Sequence, residues 1–174
     1  MKCHTVIRAG LLSIFPLVLL FSRSVAAETH FLLEAGVGAS RYSEEGTGFE
    51  TTVEVGLGIV LSPYFSMGVE GSVFEGEGNS QVEFTVIPFS FNLKYYSMSV
   101  SDGPYFGINF GAANRSSNLV DTSSETAFAL GAQMGYRFEV IDSFGVGPKF
   151  NYYYVLADRS YSWGSLTINF SYEF

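Results

Sequence analysis

From residue 31 onward, apolar and polar residues alternate along the chain. This is the period-two pattern of a β-strand, which turns successive side chains to opposite faces. It is clearest at the end, where Leu166, Ile168, Phe170, Tyr172 and Phe174 interleave with Thr167, Asn169, Ser171 and Glu173. Seven earlier stretches behave the same way: 31–40, 49–60, 64–74, 81–96, 104–113, 126–139 and 143–154, with the last strand starting near 162. In the fourth, Val82, Phe84 and Val86 hold one parity and Phe89, Phe91, Leu93 and Tyr95 the other. A parity change beside Pro88 predicts a β-bulge at Ile87-Pro88. Helical periodicity is absent from this region.

Connections between strands alternate in length. Four polar ones, at 42–48, 75–80, 114–125 and 155–161, are mostly long, whereas 61–63 and 141–142 are tight; 97–103 is longer than this rule prefers. Long loops at one end and tight turns at the other, on eight alternating strands, predict an all-β fold: an eight-stranded antiparallel up-and-down transmembrane β-barrel. The last strand would zip to the first, because a spanning sheet can leave no open edge in lipid.

Composition says which face is wet. Phe (17) and Tyr (11) concentrate on one face, and charged residues are 15% of the chain, below the roughly 25% of soluble domains. The other face is dominated by Gly, Ala, Ser, Thr and Asn, as suits the narrow interior of eight strands. Val55 and Leu130 are then lipid-facing, and Gly56 and Gly131 lumenal. A soluble lipocalin-like barrel would reverse this, with large apolar residues inside and Lys and Glu outside.

The first 27 residues read as a separate signal peptide. Lys2, His4 and Arg8 precede an apolar run from Ala9 to Ser22, and Val25-Ala26-Ala27 supplies a small-residue cleavage site, with the cut expected between Ala27 and Glu28. Residues 28–174 form one barrel domain without cysteine. Six basic residues face 17 acids there, which excludes nucleic acid as a partner, since phosphate binding needs clustered Lys and Arg.

Candidate chemistry is sparse. His30, the one histidine after the signal, precedes the first strand with no cluster around it, so no catalytic group is expected. No Cys or His pair stands at metal-ligand spacing. Glu44-Glu45, Glu75 to Glu77 and Asp121 to Glu125 read as solvated loop acids, and no cofactor is expected. The informative charges lie on the small face. Glu34, Glu54, Glu70 and Lys149 form a predicted lumen network, with Lys149 between Glu54 and Glu70 at mid-height. Lys94, Arg137 and Glu173 are expected near the terminus-bearing end. Charges in a narrow interior are costly unless paired, so a salt-bridged plug is favoured over an ion-selective lumen.

The segments Ile87-Pro-Phe-Ser-Phe-Asn-Leu-Lys-Tyr-Tyr96 and Pro104-Tyr-Phe-Gly-Ile-Asn-Phe-Gly-Ala112, with the terminal Phe174, resemble the small outer-membrane β-barrel family of opacity-type surface antigens and porin-like small barrels. The resemblance implies a multi-pass barrel in a Gram-negative outer membrane, both termini in the periplasm. It also implies an aromatic terminal signal, Phe170, Tyr172 and Phe174, read by the barrel-insertion machinery. The expected partners are that machinery and the outer-membrane lipid and lipopolysaccharide around the wall, with no surface ligand specified. The expected function is structural or surface recognition (envelope integrity, adhesion) without catalysis. The alternative is a narrow porin-like channel or carrier for small solutes.

Overall fold

A computed structural model describes residues 30–43, 48–77, 83–117, 124–158 and 160–174. The signal segment with its Ala27-Glu28 bond, the Glu44-Glu45 pair and Asp121 lie outside these residues.

The eight alternating stretches become eight strands: β1 (His30–Tyr42), β2 (Phe49–Ser62), β3 (Phe65–Glu77), β4 (Glu83–Tyr96), β5 (Gly103–Ser117), β6 (Glu125–Ile141), β7 (Phe144–Leu156) and β8 (Tyr161–Glu173). Each pairs antiparallel with the next, and β8 closes onto β1 from Leu32↔Glu173 to Tyr42↔Trp163. Every backbone edge is therefore consumed by a neighbour. Several strands run beyond the sequence-based limits, so Tyr42, Val155, Leu156 and Tyr161 belong to the wall rather than to loops.

The outer wall carries Val53, Val55, Leu57, Phe89, Phe106, Ile108, Phe110, Leu130, Leu166 and Ile168, all exposed. The inner wall carries buried Glu34, Glu54, Glu70, Asn92, Asn109, Gln133 and Thr167. That is the lipid-facing arrangement, and the reverse of a lipocalin-like barrel. The inward glycines admit close approach of strands: a Cβ on Gly38 would lie 2.0 Å from the Leu166 carbonyl oxygen, and one on Gly147 1.7 Å from that of Tyr136.

Two expectations need correction. Pairing of β4 with β5 runs unbroken from Phe84↔Ser117 to Tyr96↔Tyr105, so there is no bulge at Ile87-Pro88. Val86, Pro88 and Ser90 all face inward. The parity change in the sequence marks a change inside the barrel, because Val86 enters an apolar cluster with Tyr42, Ala113, Ala129, Tyr153, Val155, Tyr161 and Trp163. Register shifts occur instead between Val60 and Ser62 and between Glu139 and Ile141, beside the tight turns.

The interior is also not uniformly small and polar. Aromatic and aliphatic side chains close both ends. At the loop end Tyr153 stacks on Trp163, ring centres 4.7 Å apart. At the terminus end Leu32, Tyr96, Val100 and Tyr105 form a second cluster. The overlong 97–103 connection explains itself there. It folds under the barrel and buries Val100, whose backbone N–H donates to Pro63 O at 2.8 Å.

Candidate functional site: the charged lumen

Between the two apolar ends lies a column of polar side chains, held at fixed heights by strand register. At mid-height Lys149 of β7 reaches toward β2 and β3. Its Nζ lies 2.5 Å from Glu70 Oε2 and 3.1 Å from Glu54 Oε2. Because Gly56, not Glu54, stands opposite Glu70 in the β2–β3 register, the two carboxylates are diagonal neighbours that one ammonium can bridge.

Neutral donors complete the shell. Asn151 Nδ2 donates to Glu54 Oε1 at 2.9 Å and to Glu70 Oε1 at 3.4 Å; the Ser165 and Thr167 hydroxyls donate to Glu54 at 3.0 and 3.4 Å. Buried charges persist when paired and hydrogen-bonded in this way.

One level nearer the terminus end, Glu34 accepts from Lys94 and, at 3.1 Å, from Asn169 Nδ2. This revises the expected grouping. Lys94 does stand near the terminus end, opposite Ser66, but its four-carbon stem carries the ammonium to Glu34 rather than to Glu173, 5.6 Å from the Tyr105 ring centre. Glu34 has Lys94, rather than Lys149, as its ion-pair partner.

Arg137 and Glu173 do meet, with Nη1 to Oε2 at 3.5 Å. Arg137 also donates to the carbonyls of Val100 (2.8 Å) and Ser143 (3.2 Å), tying two turns to the base of the wall. His30 is not isolated there either, since its Nδ1 lies 3.3 Å from Glu173 Oε1. Closure of β8 onto β1 brings the two together, a contact that sequence distance conceals.

Toward the loop end a neutral relay follows. Gln133 Nε2 donates to Asn109 Oδ1 (2.6 Å), Asn109 Nδ2 to the Tyr153 hydroxyl (3.0 Å), and that hydroxyl is hydrogen-bonded to Ser90 Oγ (3.1 Å), with either oxygen able to donate. Above it stand Tyr153 and Trp163, and Arg115 lies over the rings of Tyr42 and Tyr161 at 5.3 and 5.7 Å.

A cavity bordered by Glu34, Tyr105, Arg137 and Asn169 amounts to about 10 Å³, room for a single water at most. Asn151, Asn169, Ser165 and Thr167 were not singled out from sequence. Their only signal was a shared parity with the lumen charges.

No group of three or more metal-ligating side chains occurs among the described residues. Of the terminal aromatics, Phe170, Tyr172 and Phe174 all face outward. Phe174 stacks on Phe31 with centres 5.7 Å apart, and its backbone exchanges two hydrogen bonds with Phe31.

Solved structures with the same fold include neisserial surface protein A, at 15% identity and TM-score 0.69 over 85% of this chain and 98% of that one. The attachment invasion locus protein Ail of Yersinia pestis matches at 16% identity and TM-score 0.57, over 85% and 100%. The outer-membrane enzyme PagL matches at 16% identity and TM-score 0.51, over 81% and 98%. At such identities the likeness concerns the fold alone. No curated protein matches the chain. The model of the outer membrane protein beta-barrel domain matches residues 13–174. A closed barrel with an apolar outer wall and an ion-paired interior, matched across nearly its whole length, belongs to the outer-membrane protein β-barrel family.

Proposed function

We propose that this protein is a non-catalytic outer-membrane barrel that presents its four long connections at the cell surface, with both termini in the periplasm. Its role is envelope integrity or recognition. The observation that carries this reading is the filled lumen: Lys149 tied to Glu54 and Glu70, beneath a Tyr153–Trp163 stack. Such an interior makes a rigid cylinder and leaves the loops as the variable surface. The non-catalytic reading is supported by His30, the one histidine after the signal segment, which sits beside Glu173 at the terminus end.

The name of the Yersinia relative speaks of attachment and invasion, and one structure of it holds a heparin analogue. The loops of this chain hold Glu44, Glu45, Asp121 and Asp158 against Arg159. Charge complementarity therefore favours a basic or neutral surface partner over a sulfated polysaccharide.

The test is paired. Purified barrel in planar bilayers should show no steady conductance, and cells displaying it should lose adhesion when the loops are shortened. Large, steady wild-type conductance would overturn the closed lumen in favour of solute transport.

A further inference from the structure

The outer wall is not uniformly padded. At the loop end a groove of roughly 580 Å³ runs over β8 between β7 and β1. Its floor is Gly164, which register places directly between Tyr152 of β7 and Arg41 of β1. Below the floor, Leu166 stands beside Phe150. Beyond Arg41 is Phe49, whose ring centre lies 5.7 Å from the guanidinium carbon.

Two observations separate this groove from ordinary wall. First, its floor is not a packing glycine. A Cβ at Gly164 would meet nothing nearer than 3.6 Å, whereas one at Gly38 would strike backbone at 2.0 Å. Strand pairing does not require the gap. Second, Arg41 is the one basic side chain on the outer wall among the described residues. Lys94, Lys149 and Arg137 are buried inside, and Arg115 lies over the lumenal rings of Tyr42 and Tyr161.

A span takes about 9–11 tilted residues. Counting back from the aromatic belt at Tyr172 therefore brings Gly164 and Arg41 close to the far interface, at headgroup level. A lone cation there, above an apolar trough, complements a phosphate carried on acyl chains.

We infer that this groove is a binding site for a phosphate-bearing lipid of the surrounding leaflet, with the phosphate at Arg41 and an acyl chain laid over Gly164 toward Leu166. Arg41, stacked on Phe49, supplies charge-assisted hydrogen bonds, and Tyr152 and Phe150 wall the chain. The site rests on the membrane setting of the barrel and is independent of whether the lumen is closed.

The test is native mass spectrometry of the full barrel, released from micelles containing dimyristoyl phosphatidylglycerol or dimyristoylglycerol, the same chains without phosphate. The wild type should retain the phospholipid roughly tenfold more than the neutral lipid, the scale of one charge-assisted hydrogen bond. Arg41→Gln should reduce the two to equal retention. Gly164→Leu, or Ser162→Leu if the first variant misassembles, should remove both, while Phe110→Leu on the far wall changes neither. Equal retention of both lipids by the wild type, or adducts indifferent to Arg41→Gln and to groove filling, would overturn the site. So would a dimer that groove filling abolishes, which would make the occupant a second copy of the chain.

Discussion

Lys149 Nζ stands 2.5 Å from Glu70 Oε2, although β7 and β3 lie on opposite sides of an eight-stranded barrel. The bond spans the lumen and braces strands that share no backbone ladder. Its removal leaves Glu70 and Glu54 facing each other, both deeply buried. Lys149→Met should destabilise the barrel by about 3–5 kcal/mol, the usual result of stranding a buried charge. A second change, Glu70→Gln, should restore part of that loss. Denaturant unfolding in detergent checks the coupling; additive effects would show that the pair contributes no joint stability.

The chain contains a single tryptophan, and Trp163 points into the barrel against Tyr153. Its fluorescence should be blue-shifted in the folded state and weakly quenched by acrylamide. Lipids brominated on their acyl chains should also quench it weakly, since the strand wall separates it from lipid. Strong quenching by the brominated lipid would place Trp163 outside. Trp163→Ala should cost about 3–5 kcal/mol, the range for removing a packed aromatic.

The two faces of the wall make opposite demands. Leu130→Arg puts a charge in the lipid-facing band and should destabilise by about 2–4 kcal/mol. At Gly131, on the inner face, a Cβ would lie 2.7 Å from the Tyr153 ring. Gly131→Ala should therefore shift that ring and cost about 1–3 kcal/mol, visible as a change in Trp163 emission. Leu130→Arg should leave that emission unchanged while the barrel stays folded.

Gly38 and Gly164 provide an internal comparison. A methyl group at Gly38 runs into the Leu166 backbone, while at Gly164 it meets only ordinary van der Waals contacts, at 3.6 Å or more, with the Asn151 carbonyl oxygen and the Phe150 ring. Gly38→Ala should disrupt β1–β8 closure, seen as loss of the fast-migrating folded band on an unheated detergent gel. Gly164→Ala should retain that band; equal loss in both would show that closure does not depend on the close approach.

Phe174 closes the seam by stacking on Phe31. If the terminal aromatics are an assembly signal, deleting Phe174 should impair outer-membrane assembly in cells far more than refolding in detergent, where no machinery acts. An equal defect in both settings would assign Phe174 a purely structural role. Glu173→Gln keeps the stack but weakens the contacts to Arg137 and His30, so its defect should appear as lower stability in both settings.

Eight strands, their antiparallel order and the lipid-facing aromatic wall were legible in the alternation itself, because side-chain direction in a strand is a local property with period two. Membrane placement followed too: Leu166, Ile168, Phe170, Tyr172 and Phe174 all point the way their parity says. What fills the lumen was decided by tertiary structure. In Tyr152-Tyr153-Tyr154 parity alone turns Tyr153 inward with Lys149 and Asn151, but its stacking on Trp163 follows from the packing of the lumen. The parity change near Pro88 looked like a bulge, but it records Val86 entering an apolar cluster built from five other strands. Glu34 could have met either lysine. The choice of Lys94 depends on stagger and on the length of a side chain crossing the barrel, neither of which is written in local spacing. Local pattern determines the wall of a barrel; its interior is settled by contacts between residues that only closure brings together.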